Sequence, residues 1–158
     1  MIELNHISAG YGKQTVLKDV SAILEKGKLT SIIGVNGCGK STLLKTILGI
    51  VPIRNGDVAI DGASLKGMDR NDISRRIAYL SQGKRTPDMT VEQLVLHGRF
   101  PHLNYPRRYT KHDYEIAIDA MKQMGIAQHA DKSLHTLSGG MRQNTYIAMA
   151  LAQGTDYV

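Results

Sequence analysis

Gly34-Val35-Asn36-Gly37-Cys38-Gly39-Lys40-Ser41-Thr42 stands between an apolar run, Leu29 to Ile33, and a helix-forming run, Leu43 to Leu48, that stops at Gly49. From Gly34 to Ser41 it matches the phosphate-cradling spacing G-x-x-x-x-G-K-[ST]. Glycines let successive backbone N–H groups curl around an anion, and the following helix adds the positive end of its dipole. Lys40 can neutralise the outer phosphates, and Ser41 can offer an oxygen to Mg²⁺. The bare pattern arises by chance in roughly one chain in two hundred of this length. Its place between strand and helix makes chance rarer still.

Around this loop the reading is α/β. Val16 to Leu24 and Leu29 to Ile33 are β-branched or apolar runs split by Lys26-Gly27, which predicts two strands, the second buried on both faces. Asp57 to Ile60 predicts a short strand that turns at Asp61-Gly62, Asp69 to Arg76 a helix, and Ile77 to Ser81 a further strand ending at Gln82. Beyond Thr86 the pattern becomes helical, with Thr90 to His97 and then Tyr114 to Met124, the latter after a capping-box spacing at Thr110 and Asp113. Ile116, Ala120, Met121 and Met124 fall on one face of that helix. Gly98 to Arg108, with two prolines, reads as a loop. Ser138 is placed to cap a helix from about Met141 to Gln153, with Gly154 as its stop. Asp156-Tyr157-Val158 reads as the first step of a strand.

Composition narrows the class. The 158 residues are 42% hydrophobic, which suits a globular chain of about one domain. No apolar run reaches the roughly 18 residues of a membrane span, and Met1 to Gly10 lacks a signal pattern, so the expectation is a soluble, untargeted chain. The single cysteine, Cys38, cannot form an internal disulfide, in keeping with a reducing cytosol, and no redox role is assigned to it. The six histidines show no metal-ligand spacing. Of the net charge of +6, four units fall between Lys84 and His112, where Lys84, Arg85, Arg99, Arg107, Arg108 and Lys111 face two acids, Asp88 and Glu92. Such a stretch suits nucleic acid, a membrane surface or an acidic partner, or is simply a solvated face. Few aromatics interleave with it, which weakens the nucleic-acid option.

Leu137-Ser138-Gly139-Gly140-Met141-Arg142-Gln143 is a second constellation. A hydroxyl cap and two residues without side chains at a helix start make either an ordinary capped helix or an anion site.

From Ile2 to Val158 the sequence resembles the nucleotide-binding subunit of ABC transporters, through four motifs in that family's order. The resemblance implies an α/β P-loop ATPase core with an N-terminal antiparallel β layer and an inserted helical subdomain. It assigns residues 1–83 to the nucleotide-binding core, 84–140 to the helical subdomain, 138–153 to the signature motif and helix, and 155–158 to the start of the Walker B strand. Tyr11 stands where an aromatic stacks on adenine, with Val16 as its apolar neighbour. Asn36, Gly37, Cys38, Gly39, Lys40, Ser41 and Thr42 look like the ATP-binding Walker A loop, with Ser41 on Mg²⁺. Gln82 looks like the glutamine that touches Mg²⁺ and the attacking water, so Lys40 and Gln82 are the catalytic candidates. Ser138, Gly139, Gly140 and Met141 look like the signature loop, which acts on ATP held by a second copy. Taken alone, Tyr11 is a loop tyrosine and Gln82 a surface amide. Gly98-Arg99-Phe100-Pro101-His102 is similar to importers of ferric siderophores, haem and cobalamin.

The resemblance further implies ATP and Mg²⁺ as cofactors, a homodimer of such subunits, an integral membrane permease and, indirectly, a substrate-binding protein. It places the chain in the cytoplasm, peripheral on the inner face of the cell membrane, with no nucleic acid as partner. Two alternatives stay open: a nucleotide-binding module without turnover, and a soluble ABC ATPase acting on ribosome or DNA. The sequence departs from the family at Met141, where glutamine is usual, and at Asn144 and Met149, where arginine is common. The family's strand closing in Asp and Glu follows the signature helix, whereas these residues run only to Val158. The 158 residues by themselves are therefore expected to hydrolyse ATP negligibly and to leave the edge at Leu29 to Ile33 uncovered.

Overall fold

The computed structural model describes residues 1–81 and 86–158. They form two compact units, one of residues 1–74 with Tyr157, the other of residues 75–156 with Val158.

The first unit is built on a four-stranded antiparallel sheet of order β2-β1-β3-β4, with β1 at Ile2–Tyr11, β2 at Gln14–Leu24, β3 at Ile53–Ile60 and β4 at Ala63–Ser64. The antiparallel layer is as expected, but β1 itself is hidden in the sequence by its irregularity. Ile2 and Leu4 alternate inward, then the register with β2 shifts, and Ile7 and Ala9 resume the buried face. The bulge carries two left-handed residues, His6 and Asp19, both at φ 51°. Their side chains meet, His6 Nδ1 to Asp19 Oδ1 at 2.7 Å, while Ser21 and Ser8 accept from their backbone N–H groups. Opposite, Gly56 is obligatory, because a Cβ there would lie 2.3 Å from the carbonyl oxygens of Asn5 and His6. Asp61 and Gly62, both with positive φ, make the two-residue turn from β3 to β4. Helix α1, Lys40–Ile47, turns Thr42, Thr46 and Ile47 inward.

Two sequence expectations are corrected. Leu29 to Ile33 forms no strand, and Leu29 and Ile33 are 97% and 92% exposed rather than buried. Ile77 to Ser81 likewise forms no strand beyond a single bridge position at Ile77. The physical reason is common to both. A strand covered on both faces belongs to a parallel sheet, whose ladder lies wholly between strands, and among the described residues no ladder forms along either run. Residues 155–158 also form no strand, apart from a bridge position at Tyr157.

The second unit is helical. Helix α2, Arg70–Arg76, crosses the boundary between the units, and α3 (Val91–His97), α4 (Lys111–Gln123) and α5 (Gly139–Gln153) surround a core that includes Val91, Val95, Met121, Leu134 and Ala148. Both α3 and α4 start with full capping boxes, Thr90 with Gln93 and Thr110 with Asp113. Ala117, Ala120 and Met121 are buried on α4, while Ile116 and Met124 are partly so. Gly154, left-handed at φ 66°, stops α5 as read from sequence.

The Gly98 to His102 segment locks these helices together. A Cβ on Gly98 would meet the Met149 carbonyl oxygen at 2.2 Å, so α3 and α5 approach through glycine. Arg99 is buried, donating from Nε to Asp113 at 3.0 Å and from Nη1 to the Ala152 carbonyl at 3.0 Å. His102 Nε2 donates to the Gln153 carbonyl at 2.8 Å, which fixes the proton on that nitrogen. Burial would raise the Asp113 carboxyl, but hydrogen bonds from Thr110 and Arg99 outweigh it and hold the group below the ordinary carboxylate value.

Candidate functional site: a glycine-rich anion cradle

The loop before α1 is shaped by what its glycines lack. Gly37 and Gly39 are left-handed at φ 84° and 102°, a conformation that costs a side-chain-bearing residue heavily. A Cβ on Gly34 would lie 2.7 Å from Cys38 Sγ, so the exposed Cys38 side chain would have to turn aside. Residues 34–38 are all exposed, and a bond from Cys38 N to the Val35 carbonyl at 3.3 Å closes the turn. Helix α1 starts at Lys40 with no side-chain cap and no acidic residue in its first turn, so its positive end is left for an external anion.

Lys40 is folded into the loop. Its Nζ donates to the carbonyls of Gly34 and Val35 at 2.8 Å each and lies 3.9 Å from Cys38 Sγ. One ammonium is thus fixed against exposed loop backbone, a geometry suited to a polyanion. Ser41 is exposed at the second helical position, and its hydroxyl is the kind of hard oxygen that Mg²⁺ takes alongside phosphate oxygens and waters. Thr42 is buried, its carbonyl accepting from Thr46 Oγ1 at 2.8 Å, so it anchors the helix. Asn36 is exposed within the loop.

Strand β2 presses on the junction of loop and helix. A Cβ at Gly39 would lie 3.1 Å from Leu17 Cδ2 and 3.3 Å from Val16 Cγ1. Val16 therefore packs at the junction of loop and helix, and Leu17, not singled out from sequence, does so too. Tyr11 ends β1, opposite Gln14 across the Gly12-Lys13 turn, and is 48% exposed. It is a strand terminus rather than a loop residue, on the same hairpin as Val16. Gln82 lies outside the described residues.

Ser138 caps α5 in the second unit, its hydroxyl accepting from Met141 N at 3.3 Å. Gly139 and Gly140 are exposed, and a Cβ at either would meet nothing within 4 Å. Among the described residues nothing crowds either position, so their backbone stands open to the surface. Met141 and Met149 pack against the second unit's core, and Asn144 Nδ2 donates to the Met124 carbonyl at 3.2 Å, capping α4. All three departures from the family pattern are thus absorbed inside this unit. Arg142, from the same stretch, donates to Thr86 Oγ1 at 2.9 Å. No helix among the described residues is long and apolar enough to cross a membrane, and no cluster there could hold a metal by three acidic, histidine or cysteine side chains.

Comparison with known proteins agrees with this arrangement. The ABC transporter family matches residues 17–158. The chain is similar to the ferric enterobactin transport ATP-binding protein FepC of Escherichia coli (strain K12), 44% identical over 150 residues, covering 94% of this chain and 55% of that protein. It is also similar to the iron(3+)-hydroxamate import ATP-binding protein FhuC of Bacillus subtilis (strain 168), 40% identical over 156 residues, covering 98% of this chain and 58% of the relative. The chain thus spans little more than half the length of these relatives. The solved ATP binding subunit of an ABC transporter superimposes with a TM-score of 0.81 at 25% identity, over 99% of this chain and 64% of that one. A nucleotide-free ATP-binding cassette shares the fold at a TM-score of 0.85 and 23% identity, over 98% of this chain and 66% of that one. With the glycine cradle, the capped signature turn and the family match across nearly the whole chain, these 158 residues belong to the ABC transporter family.

Proposed function

We propose that the chain is the ATP-binding part of an importer subunit that couples ATP binding and hydrolysis to uptake of a metal chelate, such as a ferric siderophore, haem or cobalamin. The observation that carries it is the cradle: left-handed Gly37 and Gly39, the uncapped start of α1, and Lys40 fixed against the loop. Asn36 to Thr42 would wrap the phosphates, Ser41 and Gln82 would supply oxygens to Mg²⁺, and Tyr11 with Val16 would hold the base. Mg²⁺ would neutralise phosphate charge there. Lys40 and Gln82 are the catalytic candidates. The metal-chelate cargo is supported by the similarity to FepC, a ferric enterobactin transport protein, and FhuC, an iron(3+)-hydroxamate import protein, and by the Gly98 to His102 segment.

In this reading Ser138, Gly139, Gly140 and Met141 of one copy act on nucleotide held by another, and the open, exposed backbone at Gly139 and Gly140 favours it. The partners are then a second such subunit and an integral permease, with a substrate-binding protein beyond it. The subunit works in the cytoplasm at the inner face of the membrane, with the basic stretch toward the permease or the lipid rim. Residues 1–83 serve as nucleotide core and 84–140 as helical subdomain, and the 158 residues alone bind without appreciable turnover. Membrane vesicles carrying the complete importer test this. ATP-driven uptake of a ferric chelate is expected to vanish in Lys40→Ala, and uptake that survives that substitution overturns the reading.

A further inference from the structure

We propose that Arg54, on β3, is a positioning residue for the nucleotide's base, acting through Tyr11; this rests on the nucleotide reading above. The guanidinium does not pair with an acid among the described residues. It grips the tip of the β1–β2 hairpin instead. Nη1 donates to Thr15 Oγ1 at 2.6 Å and to the Lys13 carbonyl at 3.2 Å, while Nη2 donates to the carbonyls of Gly12 and Gln14 at 2.6 and 3.1 Å. Four successive residues, 12 to 15, are held by one planar fork.

The tip needs holding. It is a two-residue turn with Gly12 left-handed at φ 51°, and its exposed carbonyls would otherwise turn freely to water. Tyr11 is the residue before this turn and is half exposed, so little of its own packing orients its ring. On the far side of the turn, β2 runs to Val16 and Leu17, which press against Gly39 at the start of α1. The tip of the hairpin is thus held by Arg54 at residues 12–15 and, just beyond, by the cradle at Val16 and Leu17. Releasing the Arg54 hold leaves the phosphate loop intact and frees the aromatic that would stack on the base. The role belongs to Arg54 because β3 pairs with β1 through Ala9–Ile53 and Ser8–Asn55, which sets residue 54 beside the hairpin's end.

Calorimetric titration with MgATP and with magnesium tripolyphosphate, which has no base, separates positioning from general damage. A base–aromatic stack is worth about five- to a hundredfold in affinity. Arg54→Ala is expected to weaken MgATP about fivefold and leave tripolyphosphate unchanged. Arg54→Lys, which keeps the charge but not the fork, should fall between the two and serves if the alanine variant does not fold. Adding Arg54→Ala to Tyr11→Ala should cost nothing further, since both act through one contact. Unchanged MgATP affinity in Arg54→Ala, an equal loss for tripolyphosphate, or additive losses in the double variant each overturn the proposal. In those cases the parent protein still binds both probes. A parent that binds neither removes the nucleotide reading itself, and this role with it.

Discussion

At the scale of single residues, the cradle's chemistry follows from a few atoms that could be read directly. Lys40 and the glycine spacing were legible because the pattern is local: every partner of the Lys40 ammonium lies within six residues of it. Arg54 was not legible, because its partners lie about forty residues away and only the strand register brings them together. Met141 shows a different limit. Its departure from the family pattern is visible in sequence, but its turn into the core is visible only in structure. Gly39→Ala is expected to cost about 1–3 kcal/mol in unfolding free energy and to weaken nucleotide binding. The left-handed φ of 102° and the crowding by Leu17 and Val16 both oppose a methyl group there. Denaturant titration beside binding measurements checks both effects, and unaltered stability would show that the loop can adopt another conformation.

At the scale of elements, the caps and stops of α3, α4 and α5 were legible, since each lies within a few residues of its helix. The Arg99–Asp113–Ala152 lock was not, because it joins three elements. Asp113→Ala leaves the Arg99 guanidinium buried without its carboxylate and should destabilise the helical unit by about 3–5 kcal/mol, measured by chemical denaturation. The pH dependence has a definite sign. Because the folded carboxyl lies below its ordinary value of 3.8, its stabilisation is complete above that value and is lost as pH falls through the lower, folded one. The melting temperature of the parent should therefore drop toward that of Asp113→Asn below about pH 4. A gap between the two proteins that persists through strong acid would show that the pair contributes nothing through ionisation. Gly98→Ala is expected to cost about 3 kcal/mol, since a methyl group cannot share space with the Met149 carbonyl.

At the scale of the whole molecule, the α/β P-loop class and the antiparallel layer follow from the sequence, but the parallel core does not appear among the described residues. Apolar pattern reports what a strand wants to bury, not whether neighbours are present to bury it. The run from Leu29 to Val35 illustrates this, with Leu29, Ile33 and Val35 all more than three-quarters exposed. The 158-residue chain by itself should bind hydrophobic dye and associate as its concentration rises, and Leu29→Lys with Ile33→Lys should reduce both. Sedimentation velocity checks this, and a concentration-independent monomer would indicate that the run is covered.

The most direct measurement is a calorimetric titration of MgATP into the folded protein beside its Lys40→Ala variant. A saturable isotherm in the parent, weakened at least about tenfold by the substitution, is the expected result. No heat of binding in the parent, or equal affinity in the two proteins, would contradict a nucleotide gripped by loop amides and a single ammonium group.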